Sequence, residues 1–377
     1  MIYLDYNASA PIAKEVLETV VQVMSTQVGN ADSRTHEYGA DSMALVQKAR
    51  QSVARLFKVN PDQVIFTSGA TESNNLAIQG LREYGLSHGK KHIITSSIEH
   101  KSVLETVKAM ARDGFEVEII NPDQNGRINP QTILDSVRED TLLVALMHVN
   151  NETGIIQPVN ILGKELKKRN VFFLIDATQS SGKLVNEIQN LDYDFLSFSA
   201  HKLQGPQGIG GLILKNEDPI SPIMYGGHQE RGFRPGTTPV ALATGLGKAC
   251  ELALEHHKEN LAKIKTLKST VMGILDESKV KYILNGDPDY CVDSMINISF
   301  EGVSSEALMI MLKGVCAISN GSACTSKEYT LRYVLRAMSL PNEQIEDAVR
   351  ISWGPDTDKE DLKNAIKQIC NVVSNFQ

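Results

Sequence analysis

The chain has 377 residues, of which 42% are hydrophobic and 22% charged, a composition typical of a soluble globular protein. Its 45 acidic residues exceed its 38 basic ones, and the net charge of −7 argues against a surface that binds nucleic acid directly. The five cysteines contain no Cys-x-x-Cys pair, so we predict neither a disulfide framework nor a metal site. We expect a cytoplasmic protein without a membrane segment, because we find no signal peptide and no apolar run near the ~20 residues that span a bilayer.

Strand-like apolar runs alternate with amphipathic stretches between about residues 60 and 215. This alternation predicts an α/β fold, in which helices cover both faces of a mainly parallel sheet. Residues 238–278 have the pattern of long helices, and the segments after them alternate between strand and helix once more. We therefore predict a large domain joined through a long helix to a smaller α/β domain, with a site in the crevice between them.

The turn TSGATESNN, residues 67–75, joins a predicted strand to a predicted helix. Gly69 can adopt backbone conformations that residues with a side chain rarely adopt. Ala70 and Thr71 follow at the predicted helix start, where the first backbone N–H groups have no hydrogen-bond partner within the helix. Such a helix start can bind a phosphate group. An ordinary helix start, capped by Thr71 and Ser73, would give the same pattern.

The segment VFFLIDATQSSGK, residues 171–183, carries an apolar strand that ends on Asp176. Ligands of open α/β sheets collect at the carboxyl ends of the strands, so this carboxylate is a candidate site residue. Gln179 follows three residues later, within reach of the same region. An aspartate that only caps a helix is the alternative interpretation.

A second strand, in the segment SFSAHKLQGPQGIGGLIL, continues into Ser199, His201 and Lys202. A lysine at the end of a buried strand loses hydration, which lowers the pKa of its amine and makes the amine nucleophilic. A loop lysine that points into water is the alternative. The small and polar neighbours favour the first interpretation.

The segment SNGSACTS, residues 319–326, places Cys324 among small residues. A structural cysteine normally lies among large apolar neighbours, so this sulfur is predicted to be reachable. The remaining cysteines have apolar neighbours and are predicted to be structural or inert: Cys250, Cys291, Cys316 and Cys370.

Together, the helix start, the lysine and the aspartate meet the requirements of pyridoxal 5'-phosphate. This cofactor needs a phosphate site, a lysine that bonds to it and a carboxylate that pairs with its pyridinium nitrogen. Asp176 precedes Lys202 by 26 residues, a spacing compatible with adjacent strand ends.

The sequence resembles the pyridoxal-phosphate-dependent cysteine desulfurases of the NifS/IscS type, within the class V aminotransferase family. The resemblance extends over nearly the whole chain and is carried by the motifs YLDYNASAP, FTSGATESNN, SSIEHKSV, MHVNNETG, IDATQSSGK, SFSAHKLQGPQGIGGL, QERGFRPGTTPV, SNGSACTS and VRISWG. It implies the fold type I of pyridoxal-phosphate-dependent transferases, with a mainly parallel seven-stranded sheet in the large domain. The large domain would comprise residues 13–255. The small domain would comprise residues 1–12 and 256–377, with the cysteine loop at about 319–332.

The resemblance also implies roles for individual residues. Lys202 resembles the lysine that bonds to the cofactor, and His100 the histidine stacked on the cofactor ring. Asp176 is similar to the partner of the pyridinium nitrogen, and Gln179 to the donor that faces the phenolic oxygen. Cys324 resembles the sulfur-accepting cysteine, and His100 is a candidate base for its thiol.

Further residues resemble the phosphate and substrate contacts of the family. Thr71, Ser199 and His201, with Ala70 at the helix start, correspond to phosphate ligands. Thr237 resembles the threonine that reaches the phosphate from the other subunit, which implies a homodimer. The remaining pair resembles the clamp on the substrate carboxylate: Asn151 and Arg350.

The activity implied is conversion of L-cysteine to L-alanine with transfer of sulfur to Cys324 as a persulfide. A protein acceptor would then receive the sulfur for iron–sulfur cluster assembly, tRNA thiolation or DNA phosphorothioation. A selenocysteine lyase and a class V aminotransferase are alternatives. A non-catalytic assembly partner is disfavoured, because it would have no use for Lys202, Asp176, His100 and Cys324 together.

Overall fold

The structure is a computed structural model that describes residues 1–320 and 332–377. Within these residues the helices are α1 (Lys14–Thr26), α2 (Glu37–Phe57), α3 (Ala70–Gly80), α4 (Arg82–His88), α5 (Lys101–Arg112), α6 (Pro130–Ser136), α7 (Val159–Lys168), α8 (Val185–Ile188), α9 (Val240–Ser278), α10 (Ser305–Met311), α11 (Tyr333–Ala337), α12 (Asn342–Glu346) and α13 (Lys359–Ser374). The strands are β1 (Ile2–Tyr3), β2 (Val64–Thr67), β3 (His92–Ser96), β4 (Glu116–Ile120), β5 (Thr141–Met147), β6 (Phe172–Asp176), β7 (Phe195–Ser199), β8 (Gly210–Leu214), β9 (Tyr282–Leu284), β10 (Met295–Phe300), β11 (Cys316–Ala317) and β12 (Ala348–Ser352).

Seven of these strands form one sheet in the order β2-β8-β7-β6-β5-β3-β4. Strand β8 is antiparallel to both of its neighbours, and the other pairings are parallel. Successive side chains along a strand pack into different hydrophobic clusters. Leu143 of β5 and Phe195 of β7 belong to one cluster, whereas the residues that follow them, Val144 and Leu196, belong to another. The predicted mainly parallel, seven-stranded α/β sheet is therefore confirmed.

The C-terminal part of the chain has smaller sheets. Strands β12, β10 and β9 form an antiparallel sheet, and β1 pairs in parallel with β11. Their core contains Trp353 and Val373, and it also contains Leu4 from the start of the chain. None of the helices in the described part of the chain is long and apolar enough to cross a membrane.

Helix α9 contributes to the cores of both parts. Its first half supplies Leu246 to the core beside the large sheet, and its second half supplies Val271 to the core around the small sheets. The predicted boundary between residues 255 and 256 falls inside this helix. The division into two domains at that position remains a prediction.

Candidate active site

Strands β6 and β7 bring two candidate residues to one edge of the large sheet. The strands are hydrogen-bonded neighbours and run parallel, with Leu174 opposite Phe195. Asp176 is the last residue of β6, and Lys202 ends the short helical turn that follows β7. The two strand ends are therefore adjacent, an arrangement with which the 26-residue spacing is compatible.

A cavity of about 560 Å³ opens at this edge. Ten of the twelve residues predicted for the site line it: Ala70, Thr71, His100, Asn151, Asp176, Gln179, Ser199, His201, Lys202 and Arg350. Thr237 is exposed and does not line the cavity of its own chain. Cys324 lies outside the described residues.

One wall of the cavity is the start of α3. Gly69 precedes this helix with a φ of 154°, a backbone conformation that favours glycine. A Cβ atom at Gly69 would lie 3.5 Å from the hydroxyl oxygen of Ser199, so the glycine keeps the space between helix start and strand end open. His201 lies on the same side, with Nδ1 3.2 Å from the Ser9 hydroxyl, and burial lowers the pKa of His201 to about 4. The wall therefore offers backbone N–H groups, a hydroxyl and a neutral imidazole.

The Lys202 amine is held by backbone carbonyl groups. Its Nζ donates to the carbonyl oxygens of Asn7 and Ala8, the second over 2.7 Å. Within the described structure no carboxylate lies in ion-pairing distance of this amine. Burial, with further contributions from Lys183 and Arg350, lowers the pKa of Lys202 to about 7. A substantial fraction of the amine is therefore neutral, and nucleophilic, at neutral pH.

The Asp176 carboxylate is buried and receives two hydrogen bonds. Oδ1 accepts from the Thr178 N–H over 2.9 Å, and Oδ2 accepts from the Asn74 side-chain amide over 3.0 Å. Nearby, the Gln179 amide donates to the Asn7 carbonyl over 3.0 Å. These contacts hold Asp176 at the cavity wall in one orientation.

His100 caps α5 with its own side chain. Nδ1 accepts from the Ser102 N–H over 3.1 Å and lies 2.8 Å from the Ser102 hydroxyl oxygen. Burial, Lys202 and Lys101 lower the pKa of His100, while Asp176 opposes them. These influences together favour the neutral form of the ring.

Arg350, on β12, reaches the cavity from the small sheets. Its guanidinium group is buried, donates to Asp5 over 2.6 Å and donates to the backbone carbonyl of Asn151 over 2.9 Å. The side-chain oxygen of Asn151 is buried and has no hydrogen-bond partner within the described residues. The Nε–H of Arg350 is likewise buried without a partner within the described residues, so the guanidinium group still has a donor that suits a carboxylate ligand, whereas Asn151 could donate to one only through its amide nitrogen.

Sequence reasoning missed several residues that the structure places in or behind the cavity. Asn74 and Ser102 form a series of hydrogen bonds between Asp176 and His100. The backbone carbonyl of Asn7 accepts a hydrogen bond from the Lys202 amine. Glu152 lines the cavity, and burial raises its pKa to about 7. All four missed residues lie inside motifs that carry the family resemblance: Asn7, Asn74, Ser102 and Glu152. Their position within a motif was therefore the signal that could have identified them.

No cluster of three or more His, Cys, Asp or Glu residues suited to a metal ion occurs in residues 1–320 and 332–377.

Comparison with known proteins gives consistent results. Residues 2–364 match the family Aminotransferase class-V. Over its full length, the chain is 41% identical to the cysteine desulfurase IscS of Vibrio vulnificus (strain YJ016), 93% of which is covered. A solved NifS-like protein superposes with a TM-score of 0.91 at 32% identity, over 99% of each chain. The solved structure of SspA in complex with cysteine superposes with a TM-score of 0.83 at 34% identity, over 94% of this chain and 99% of that one.

These matches confirm the predicted resemblance and the predicted fold, and they favour a cysteine desulfurase over the alternatives. The chain thus belongs to the class V aminotransferase family, and it is homologous along its whole length to enzymes named cysteine desulfurase.

Proposed function

We propose that the protein is a pyridoxal-phosphate-dependent desulfurase that converts L-cysteine to L-alanine. The sulfur leaves cysteine when the C–S bond breaks, and it forms an S–S bond with the Cys324 thiol. Cysteine and the enzyme thiol thus become alanine and an enzyme persulfide, with no other reactant consumed. The convergence of ten family-type residues on one cavity carries this proposal.

The residues of the cavity fit the proposed cofactor. The open space beside Gly69 and the α3 start suits a phosphate group, and Ala70, Thr71, Ser199 and His201 would hold it. Lys202 supplies a partly neutral amine for the covalent bond, and Asp176 supplies a carboxylate for the ring nitrogen. When bound, pyridoxal phosphate provides the electron sink that stabilises negative charge on the substrate Cα.

The other cavity residues would bind substrate and move protons. Arg350 and Asn151 would hold the substrate carboxylate and thereby orient Cα. Lys202 Nζ, with its pKa lowered to about 7, is suited to take up and return a proton. His100 lines the same cavity, and it would exchange a proton through Nε2 because Nδ1 is bound to Ser102.

The reaction is tested by incubating the purified holoenzyme with L-cysteine. We expect alanine and, in the presence of a reductant, sulfide in equal amounts. An aminotransferase would instead transfer the amino group to a keto acid without releasing sulfide. A selenocysteine lyase would act on selenocysteine but leave cysteine unchanged. Either result would contradict the proposal.

The substrate clamp yields a separate prediction. Replacing Arg350 by lysine keeps the charge but removes the planar fork that binds a carboxylate with two hydrogen bonds. We expect kcat/KM for cysteine to fall about 10- to 100-fold, as for loss of a hydrogen bond to a charged group. Steady-state kinetics measures this, with Arg138→Lys as the control because Arg138 pairs with Glu116 and Asp140 at the protein surface. Equal losses in both variants would contradict the clamp.

We also propose a homodimer, an acceptor protein for the sulfur and a cytoplasmic location. The exposure of Thr237 supports the dimer, because this residue would reach a phosphate only in another copy of the chain. The acceptor serves iron–sulfur cluster assembly, tRNA thiolation or DNA phosphorothioation, and the cavity favours none of the three.

A further inference from the structure

The contacts of Ser102 define which ring nitrogen of His100 carries the proton. The Ser102 N–H donates to Nδ1, so Nδ1 is unprotonated and accepts. The Ser102 hydroxyl oxygen lies 2.8 Å from the same Nδ1, and two acceptors cannot share a hydrogen bond. The hydroxyl proton must therefore point to Nδ1, and the neutral ring carries its own proton on Nε2.

Asn74 fixes the hydroxyl from the other side. Its Nδ2 donates one proton to Asp176 over 3.0 Å and the other to the Ser102 hydroxyl oxygen over 2.9 Å. A carboxylate only accepts hydrogen bonds, so Asp176 determines which way the Asn74 amide faces. Every donor in the series Asp176–Asn74–Ser102–His100 thus has a defined direction.

We propose that Asn74 and Ser102 are positioning residues that keep His100 neutral with its proton on Nε2, so that the ring meets the substrate as a proton donor. The identity of that substrate rests on the proposed function, whereas the position of the proton does not. For His100 to deprotonate Cys324 through Nε2, its proton would first have to move to Nδ1. That move would break both hydrogen bonds from Ser102.

The charges that face His100 come from several elements. Asp176 at the end of β6 favours the imidazolium form, whereas Lys202 after β7 and Lys101 on α5 disfavour it. Burial is the largest effect, and it lowers the pKa of His100. Tyr333 lines the same cavity, and burial raises the pKa of its hydroxyl, so this residue adds no charge at neutral pH.

Nuclear magnetic resonance of the holoenzyme labelled with 15N-histidine reports the tautomer directly, and the His100→Gln variant assigns the signal. We expect the wild-type protein to show Nδ1 unprotonated and Nε2 protonated at pH 7. A proton on Nδ1 would overturn the proposal without any further variant. Because this readout needs no turnover, it is independent of whether the desulfurase assay succeeds.

Ser102→Ala then tests the contribution of the hydroxyl. Loss of one hydrogen bond to Nδ1 should raise the titration midpoint of His100 by about 0.5 to 1 pH unit and admit some of the Nδ1-protonated tautomer. The acidic limb of the kcat/KM profile should move in the same direction. Ser102→Thr keeps a hydroxyl and should restore the wild-type tautomer, and Glu105→Ala, on the exposed face of the same helix, should change nothing. An unchanged tautomer and midpoint in Ser102→Ala would overturn the role of Ser102.

Discussion

Lys202→Ala is expected to reduce alanine formation from L-cysteine by about a thousand-fold or more, the scale of losing a covalent or proton-transferring group. Of the other described lysines near the site, Lys183 is hydrogen-bonded to Gln179, and Lys101 lines the cavity from the first turn of α5 rather than from the end of β7. The variant should also fail to retain the cofactor covalently. Borohydride reduction followed by intact-protein mass measures this, since it fixes the cofactor to the wild-type chain but not to the variant.

Two controls separate this chemistry from loss of structure. Lys215→Ala removes a lysine that lies over Tyr193 away from the cavity, and it should retain activity and covalent cofactor. The thermal midpoint of Lys202→Ala without cofactor should remain close to that of the wild-type protein without cofactor, since the backbone carbonyls that Lys202 contacts line a cavity that water can enter. Covalent cofactor on another lysine in the Lys202→Ala variant would contradict the assignment.

Cys324→Ser is expected to abolish the persulfide entirely. After incubation with L-cysteine, the wild-type protein should gain the mass of one or more sulfur atoms, and the gain should disappear on reduction. The variant should show no such gain and no sulfide release. The reason is that serine has no thiol at this position, and only a deprotonated thiol attacks sulfur at a useful rate.

The four described cysteines are poor candidates for this role. Burial raises the pKa of every one, to about 11 for Cys291 and Cys316. Cys250 and Cys370 have raised pKa values for the same reason. Cys291→Ser is the matched control because Cys291 is the least buried of the four, and it should gain sulfur as the wild type does. A reducible mass gain that persists in Cys324→Ser would assign the carrier to another residue.

The part of the site that was predictable from sequence lies at strand ends. Asp176 and Lys202 each follow a short apolar run, and parallel strands bring such ends to one edge of the sheet. The α3 start was recognised from the glycine turn between a predicted strand and a predicted helix, whereas His100 was found through a family motif. Hydrophobic patterns report which segments are buried, and so they predicted the large sheet well.

Contacts between distant parts of the chain were not predictable in this way. Arg350 pairs with Asp5 across 345 residues, and Lys202 donates to Asn7 across 195 residues. No local pattern encodes such pairs, because each partner alone resembles an ordinary surface or loop residue. Strand direction in the small sheet could not be predicted from the sequence for a similar reason. The same alternation of strand and helix is compatible with a parallel sheet and with the antiparallel β12-β10-β9 sheet that is observed.

The placement of the first eight residues has a consequence for biosynthesis. Leu4 belongs to the core of the C-terminal part and Asp5 pairs with Arg350, while Asn7 and Ala8 hold the Lys202 amine. Ribosomes release a chain from its N-terminus, so these residues emerge before their partners, which are made some 200 to 350 positions later. The large sheet can form during translation, but the lysine acquires its final surroundings only when synthesis has passed residue 350. A nascent chain that stalls earlier would thus carry a folded sheet and an unfinished cofactor site.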